Sequence, residues 1–224
     1  MNAVSRDNRS GQVYLDLRKK AKAEGRPVAE LLTLYALEGF LGRLSESSDD
    51  RRTFVLKGGV LLAAYGSRRP TRDADLLGQQ LSNEIELMRK RVTAIASRAR
   101  DDGLILDPAS VAAQVIRDEA EYLGVRVSLS YRLATAALRF HVDVTVGDPV
   151  WPPPQEVLLP GLLKGEISLL GYPLSTSVAE KAVTAVQRGA ANTRWRDYAD
   201  VYILSGTHWF SGDELTEAIR LVAD

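Results

Sequence analysis

Two aspartates, Asp73 and Asp75, stand two positions apart and directly follow a basic loop. On a strand, residues at this spacing point to the same face of the sheet. Neighbouring carboxylates repel one another, so the pair favours a cation between them. Oxygen ligands at short spacing suit Mg²⁺, which usually takes one or two protein carboxylates and completes its shell with water and substrate phosphates. The pair therefore predicts a metal site.

A glycine pair, Gly58-Gly59, lies upstream, between an apolar run at 53–56 and a short helical segment at 60–65. This order predicts a strand, a glycine turn and a helix. Glycines at such a turn let backbone N–H groups and the helix N-terminus come close to a phosphate. Alone, a glycine pair is most often a turn, and an aspartate pair after a proline is most often a polar loop. Together they indicate phosphoryl or nucleotidyl chemistry.

A third aspartate, Asp143, lies in an alternating segment at 138–146, which predicts a strand. Val142 and Val144 then face one side of the sheet, and Asp143 faces the other. Hydrophobic-acid-hydrophobic tripeptides are common, so the motif is not specific by itself. Asp143 is nevertheless the predicted third carboxylate of the metal site.

The spacing of these residues resembles a known family. Gly58-Gly59, thirteen intervening residues and Asp73-x-Asp75 are similar to the nucleotidyltransferase signature of the polymerase-β superfamily. The strings Leu56-Lys57-Gly58-Gly59 and Thr71-x-Asp73-x-Asp75-Leu76 resemble, more narrowly, the AbiEii/MenT branch of nucleotidyltransferase toxins. The resemblance covers most of residues 50–205. It implies an α/β (α+β) fold, with a polymerase-β-like core of mixed sheet and helices.

A second part of the resemblance lies near the C-terminus, in Glu180-Lys181 and Arg194-x-Arg196-Asp197-x-x-Asp200. Separately, these residues fit ordinary roles: Glu180 completes a capping box with Ser177, and both aspartates lie opposite an apolar helix stripe. As a set, the family pattern implies that Lys181 binds phosphate and that Asp197 is an active-site acid. The choice between Asp197 and Asp200 stays open.

The resemblance implies in-line attack of a hydroxyl on the α-phosphate of a nucleoside triphosphate, with Mg²⁺ as cofactor. The implied catalytic residues are Asp73, Asp75, Asp143, Lys181 and Asp197, of which the first three would hold the metal. The implied nucleotide and phosphate-binding residues are Lys57, Gly58, Gly59, Thr71, Arg68 and Arg72.

The composition of the 224 residues is that of an ordinary globular protein, with 45% hydrophobic and 26% charged residues. Cysteine is absent, which excludes disulfides and thiolate chemistry. The formal net charge is +0, so any RNA contact must come from local basic patches. The candidate patches are Lys19-Lys20, Arg89 to Arg91, and Arg194 with Arg196. No apolar segment predicts a signal peptide or membrane span, which favours the cytoplasm.

Three regions position these residues in the predicted organisation. Residues 1–50 form an N-terminal helical region, 51–150 form the nucleotidyltransferase core, and 151–224 form a linker, a short strand and a C-terminal helical region. The capping box Ser177-x-x-Glu180 predicts that a C-terminal helix begins at Ser177.

The function that the resemblance implies is that of a toxin. It would transfer a nucleotide from an NTP to an RNA acceptor, the tRNA 3′ end, block translation and pair with a cognate antitoxin. Two alternatives remain from the sequence. One is a nucleotidyltransferase that acts on a small molecule such as an antibiotic, and the other is a nucleotide-binding regulator without catalysis.

Overall fold

The computed structural model describes residues 4–117, 123–189 and 195–223. The helices are α1 (Arg9–Glu24), α2 (Val28–Ser45), α3 (Ser48–Thr53), α4 (Gly58–Leu61), α5 (Ile85–Ala96), α6 (Leu174–Arg188), α7 (Trp195–Thr207) and α8 (Gly212–Ala223). The strands are β1 (Phe54–Lys57), β2 (Asp73–Gly78), β3 (Ile105–Arg117), β4 (Leu123–Leu133), β5 (Ala136–Val146), β6 (Gln155–Pro160) and β7 (Glu166–Gly171). Across these described ranges, no helix has the length and apolar character needed to span a membrane.

A seven-stranded sheet organises the described chain, in the order β3-β4-β5-β2-β1-β7-β6. Strands β2 and β5 are parallel, as are β1 and β7, and the other neighbouring pairs are antiparallel. The predicted mixed α/β fold is therefore confirmed. The order places β2 between β5 and β1, so the strand with the aspartate pair lies beside the strand with Asp143 and beside the strand that enters the glycine turn.

One hydrophobic core joins the N-terminal helices to this sheet. Leu31, Leu37 and Leu41 of α2 are fully buried, which agrees with the wide apolar face of that segment. Phe140 of β5 stacks against Phe40 and Tyr131, with ring centroids 6.0 and 5.9 Å apart. The division at residues 50 and 150 stays a prediction.

Helices α6 and α7 pack beside the glycine turn. A second, smaller cluster of buried residues unites Leu62, from the 3-10 turn that follows α4, with Val178 of α6 and Leu204 of α7. Because Leu62 comes three residues after Gly59, this packing holds the inner faces of both C-terminal helices close to the candidate site.

Three local predictions were wrong. Helix α6 begins at Leu174 after Pro173, not at Ser177, whose buried hydroxyl lacks a hydrogen-bond partner. Glu180 does not complete a capping box, because its side chain forms an ion pair with Lys57 of β1 instead. Residues 155–171 contribute two strands where one was expected.

Candidate active site

The three predicted aspartates meet at the centre of the sheet. Parallel pairing of β2 with β5 aligns Asp75 with Asp143 and Asp73 with His141. One carboxylate oxygen from each aspartate lies within 4.8 Å of the others. We call Asp73, Asp75 and Asp143 the acidic cluster. Its formation follows from the two-residue period of strands, which puts both β2 carboxylates on the face that Asp143 shares.

The environment of Asp75 disfavours its charged form. Burial raises the pKa of this carboxyl group, and the nearby carboxylates of Asp73 and Asp143 raise it further, to about 7. The groups that oppose this shift are Lys57 and the backbone N–H of Gly59. A divalent cation would remove the repulsion, and a cluster of oxygen donors with no nitrogen or sulfur ligand fits Mg²⁺.

The glycine turn touches the acidic cluster directly. Gly58 has a φ of +65°, and a Cβ atom there would lie 1.9 Å from Oδ2 of Asp75. A Cβ atom on Gly59 would lie 2.5 Å from Oγ1 of Thr71 and 3.1 Å from the guanidinium of Arg69. Both glycines are therefore required by close approach, and the first also by backbone conformation.

Thr71 was singled out in the sequence because it stands two residues before Asp73. Its side chain is buried, at 5% exposure, and its Oγ1 atom has no hydrogen-bond partner. A buried hydroxyl normally finds a partner, because leaving it unpaired costs about 1–3 kcal/mol. This orphaned hydroxyl beside the glycine turn fits a site that receives a polar ligand such as a phosphate.

Arg126, on β4, is a site residue that sequence reasoning missed. Its Nε and Nη2 atoms donate to the two carboxylate oxygens of Asp143 at 2.8 and 2.6 Å, and Nη2 lies 3.9 Å from Asp73. The antiparallel pairing of β4 with β5 places Arg126 directly opposite Asp143. The alternation of residues along β4 indicates that Arg126 lies on the polar face of the sheet. Only the register of β4 on β5 shows that its partner is Asp143.

A second group of charges forms between the loop before β2 and the C-terminal helices. Nζ of Lys181 lies 2.9 Å from Asp197 and 2.8 Å from Asp200, and Nε of Arg69 donates to both oxygens of Asp200 at 3.0 and 3.1 Å. We call these four residues the lysine cluster. Its Arg69 side chain borders Gly59 of the glycine turn.

The lysine cluster brings together both candidate acids of the C-terminal motif. Asp200 is buried, with 2% exposure, and is shared by two cations. The side chain of Asp197 keeps 15% exposure, and Lys181 is its ion-pair partner among the described residues. Asp197 is thus the more accessible acid, and Asp200 is the one that anchors the helix to the core.

Lys57 forms a third ionic contact, at the end of β1. Its ammonium group pairs with Asp148 and, at 3.3 Å, with Glu180 of α6. Burial alone would lower the pKa of Lys57, but Glu180 and Asp148 outweigh burial and raise it above its ordinary value. Lys57 therefore stays charged and ties the glycine turn to α6.

The remaining predicted residues lie elsewhere. Arg68 points away from both clusters, and its guanidinium donates to Glu38 of α2 and to the carbonyl oxygen of Pro160. Arg72 is exposed at the edge of the site. Arg194 lies outside the residues that the structure describes. The arginine that the fold brings into the site from this loop is Arg69.

A mixed sheet with an acidic cluster next to a glycine turn defines the nucleotidyltransferase class of fold. JHP933 from Helicobacter pylori has a crystal structure with a TM-score of 0.54 at 16% identity, over 85% of this chain and 72% of that chain. The structure of an antigenic nucleotidyltransferase-like protein from Paracoccidioides brasiliensis gives a TM-score of 0.50 at 14% identity, over 84% and 86% of the two chains. No curated protein matches.

The family follows from the sequence itself. The model of the nucleotidyl transferase AbiEii toxin family, described as a type IV toxin–antitoxin system, matches residues 39–224. The chain therefore belongs to the AbiEii family of nucleotidyltransferase toxins. This confirms the resemblance drawn from the glycine and aspartate motifs.

Proposed function

We propose that this protein is an Mg²⁺-dependent nucleotidyltransferase that transfers NMP from an NTP to an RNA acceptor, the tRNA 3′ end. In this proposal the modified tRNA no longer supports translation in the cytoplasm, as in the MenT toxins that the motif resembles, and a cognate antitoxin counteracts the enzyme. The observation that carries the chemistry is the acidic cluster, whose carboxylate oxygens lie within 4.8 Å of one another beside the glycine turn.

The acidic cluster supplies the metal ligands. Asp73 and Asp75 would hold an ion on the triphosphate side, and Asp143 an ion on the side of the attacking hydroxyl. Bound divalent ions neutralise phosphate charge and lower the barrier to attack. The acceptor oxygen then bonds to the α-phosphorus, the bond to the β-phosphate breaks, and pyrophosphate leaves. In this proposal Asp143 receives the hydroxyl proton.

Thr71 and Lys181 are the groups that fit the triphosphate. The Thr71 hydroxyl has no internal partner and can donate to a phosphate oxygen. An ammonium group has three N–H donors, and the two aspartates of the lysine cluster take two of them. Within the described part of the chain, one donor of Lys181 is then left for a phosphate, while the aspartates hold the side chain in position.

The outer face of α7 favours an RNA acceptor over a small molecule. Trp195, Tyr198 and Tyr202 follow helical spacing and are 68%, 49% and 80% exposed. The guanidinium of Arg196 lies 5.7 Å from the Trp195 ring centroid. Exposed aromatic rings with an arginine are the elements that stack bases of single-stranded nucleic acid. The inner face of the same helix carries Asp197 and Asp200, so bases on α7 would lie one helix diameter from the site.

The other predicted basic patches are less available. Lys20 pairs with Glu24, Arg89 with Glu86, and Arg91 with Asp49, at 2.8, 2.9 and 2.6 Å. The positive charge of these side chains is therefore already partly neutralised by carboxylates of the protein itself. We therefore expect a small number of phosphate contacts, and we expect them near α7.

The test is transfer of label from each NTP to total RNA or to a small hydroxylated acceptor, with and without Mg²⁺. We expect labelled tRNA only with Mg²⁺. The logarithm of RNA affinity should fall linearly with the logarithm of salt, at roughly −0.7 per phosphate contact, for about three or four contacts. RNA affinity that is independent of salt, with label on the small acceptor, would favour the small-molecule alternative. Nucleotide binding without transfer to any acceptor would favour a regulator.

A matched pair of variants locates the acceptor surface. Tyr202→Ala should raise the KM for RNA several-fold, because each stacked base contributes about 1–3 kcal/mol, and should leave the KM for NTP unchanged. The control is Trp209→Ala, which removes an equally exposed aromatic ring, at 87% exposure, from beyond the end of α7. Equal effects of both changes would remove α7 from the acceptor site.

A further inference from the structure

We propose that Arg126 is a resident cation of the acidic cluster, which occupies the position beside Asp143 and which a divalent ion must displace. The inference rests on the metal site of the proposed function. It adds that the two metal positions are unequal. An ion between Asp73 and Asp75 can bind first, whereas an ion at Asp143 must compete with a guanidinium group that the protein itself supplies.

The contact geometry makes the competition direct. Both carboxylate oxygens of Asp143 accept from Arg126, at 2.8 and 2.6 Å, which is the bidentate arrangement typical of strong arginine–carboxylate pairs. These are the same oxygens that a metal ion would need. Asp75 lies on the opposite side of the cluster, where its carboxylate packs against Gly58. The guanidinium therefore occupies the Asp143 end of the cluster, and its Nη2 atom also lies 3.9 Å from Asp73.

The sheet fixes the backbone of Arg126 but leaves its guanidinium group able to move. Pairing of β4 with β5 sets its backbone opposite Asp143. The side chain is 32% exposed, in contrast to 10% for Asp143. The guanidinium can thus move toward solvent when an ion arrives, without any rearrangement of the buried strands. A fully buried arginine would lack this route, because its displaced charge would remain without water or a partner.

The net charge of the metal-free cluster explains why the protein carries an arginine at this position. Among the described residues, Arg126 is the cation within ion-pair distance of this cluster, so without it the metal-free site would hold three neighbouring carboxylates with no such partner. The arginine reduces the repulsion among these carboxylates before metal arrives. By linkage, a group that stabilises the metal-free form lowers the apparent affinity of the metal by the same free energy.

The experiment is a titration with Mn²⁺ alone, without NTP or RNA, at constant ionic strength. Electron paramagnetic resonance measures the free Mn²⁺ at each step. In the wild-type protein we expect one tighter and one weaker ion. Arg126→Gln should tighten the weaker ion by about tenfold, within the roughly 5- to 150-fold range of couplings between ligands. In the absence of metal the same variant should unfold at a lower temperature, and Mn²⁺ should restore most of the difference.

Two further variants distinguish displacement of the Arg126 guanidinium by Mn²⁺ from a long-range effect of its positive charge. Arg126→Lys keeps the charge but loses the fork that holds both oxygens, so the weaker ion should still tighten, by about threefold. Arg132→Gln removes the same charge from an exposed position on the same face of β4, six residues away, and should change both affinities less than about twofold, as expected of a distant, screened charge.

The outcomes are distinct. Tightening in both Arg126 variants, with little change in Arg132→Gln, supports displacement. If Arg126→Lys binds Mn²⁺ as the wild type does, or if Arg132→Gln equals Arg126→Gln, the guanidinium does not occupy the site and the inference fails. If every protein binds two ions with unchanged affinity, only this inference fails. If neither the wild type nor any variant binds Mn²⁺, the metal site of the proposed function fails with it.

Discussion

The acidic cluster and the lysine cluster lie on either side of the glycine turn and differ in charge balance. The acidic cluster has three carboxylates and one guanidinium, whereas the lysine cluster has two carboxylates, one ammonium and one guanidinium. The first is short of positive charge and the second is neutral. The difference indicates that the acidic cluster could hold a further cation, whereas the charges of the lysine cluster are already balanced and its ion pairs hold α6 and α7 on the core.

The two clusters should therefore respond oppositely to loss of a charge. Removing a carboxylate from the acidic cluster relieves repulsion, so it should affect chemistry and spare the fold. Removing Lys181 from the lysine cluster leaves Asp197 without its ion pair among the described residues and leaves the buried Asp200 with Arg69 alone, so it should affect the fold as well as chemistry. The four predictions that follow test this contrast, in order of decreasing effect.

The largest effect is expected on catalysis from the acidic cluster. Asp73→Ala and Asp75→Ala should each reduce nucleotide transfer by roughly 10³-fold or more, as is typical when a central catalytic group is removed. Far-ultraviolet circular dichroism and the unfolding midpoint in denaturant should match the wild type or exceed it. Transfer at the wild-type rate in either purified variant would remove the metal assignment.

The lysine cluster should show the largest effect on stability. Lys181→Ala leaves Asp197 without its cation and Asp200 with Arg69 alone, so the free energy of unfolding should fall by roughly 3–5 kcal/mol. Lys22→Ala, a change at an exposed lysine of α1, should stay within about 0.5 kcal/mol of wild type. Chemical denaturation measures both. A loss as small as that of the control would mean that Lys181 is a solvated lysine.

The glycine turn offers a test of the contact between it and the acidic cluster. Gly58→Ala and Gly66→Ala both place a side chain at positive φ, +65° and +75°, which costs on the order of 1–3 kcal/mol. Only the first change also collides with Asp75, since nothing lies within 4 Å of a Cβ atom at Gly66. We expect Gly58→Ala to lose Mn²⁺ binding and Gly66→Ala to retain it. Equal metal affinity in the two variants would contradict the contact.

The smallest effect is a gain in stability that depends on pH. The folded-state pKa of Asp75 is raised from 3.8 to about 7, so between these values the folded protein binds more protons than the unfolded chain. The free energy of unfolding contributed by this group then falls as pH rises through that window and stays low above it. Metal-free Asp75→Asn should therefore be more stable than wild type by on the order of 1–2 kcal/mol near pH 8.

The same variant supplies its own control at low pH. Near pH 4 the wild-type carboxyl is protonated in the folded state, so the difference between Asp75→Asn and wild type should largely disappear. Stability measured by denaturant titration at both pH values decides the matter. A variant that is less stable than wild type near pH 8 would mean that Asp75 is not repelled by its neighbours.

The sequence by itself determined the residues whose roles depend on local spacing. Two aspartates at i and i+2 on a strand must share a face, and a glycine pair at a strand end must turn. The alternation of β5 likewise follows from the local repeat. These features explain why the acidic cluster, the glycine turn and the mixed fold could be predicted.

Tertiary structure decided which charges meet. Arg126 finds Asp143 because the hairpin turn at Ala134 and Thr135 sets the register of β4 on β5, and that turn lacks the Asn-Gly or Asp-Gly signal that would mark it in a sequence. Arg69 enters the site, whereas Arg68, its neighbour, reaches Glu38 on the far side of the loop. Ion pairs between residues distant in sequence depend on strand order and helix packing, and no local pattern encodes either.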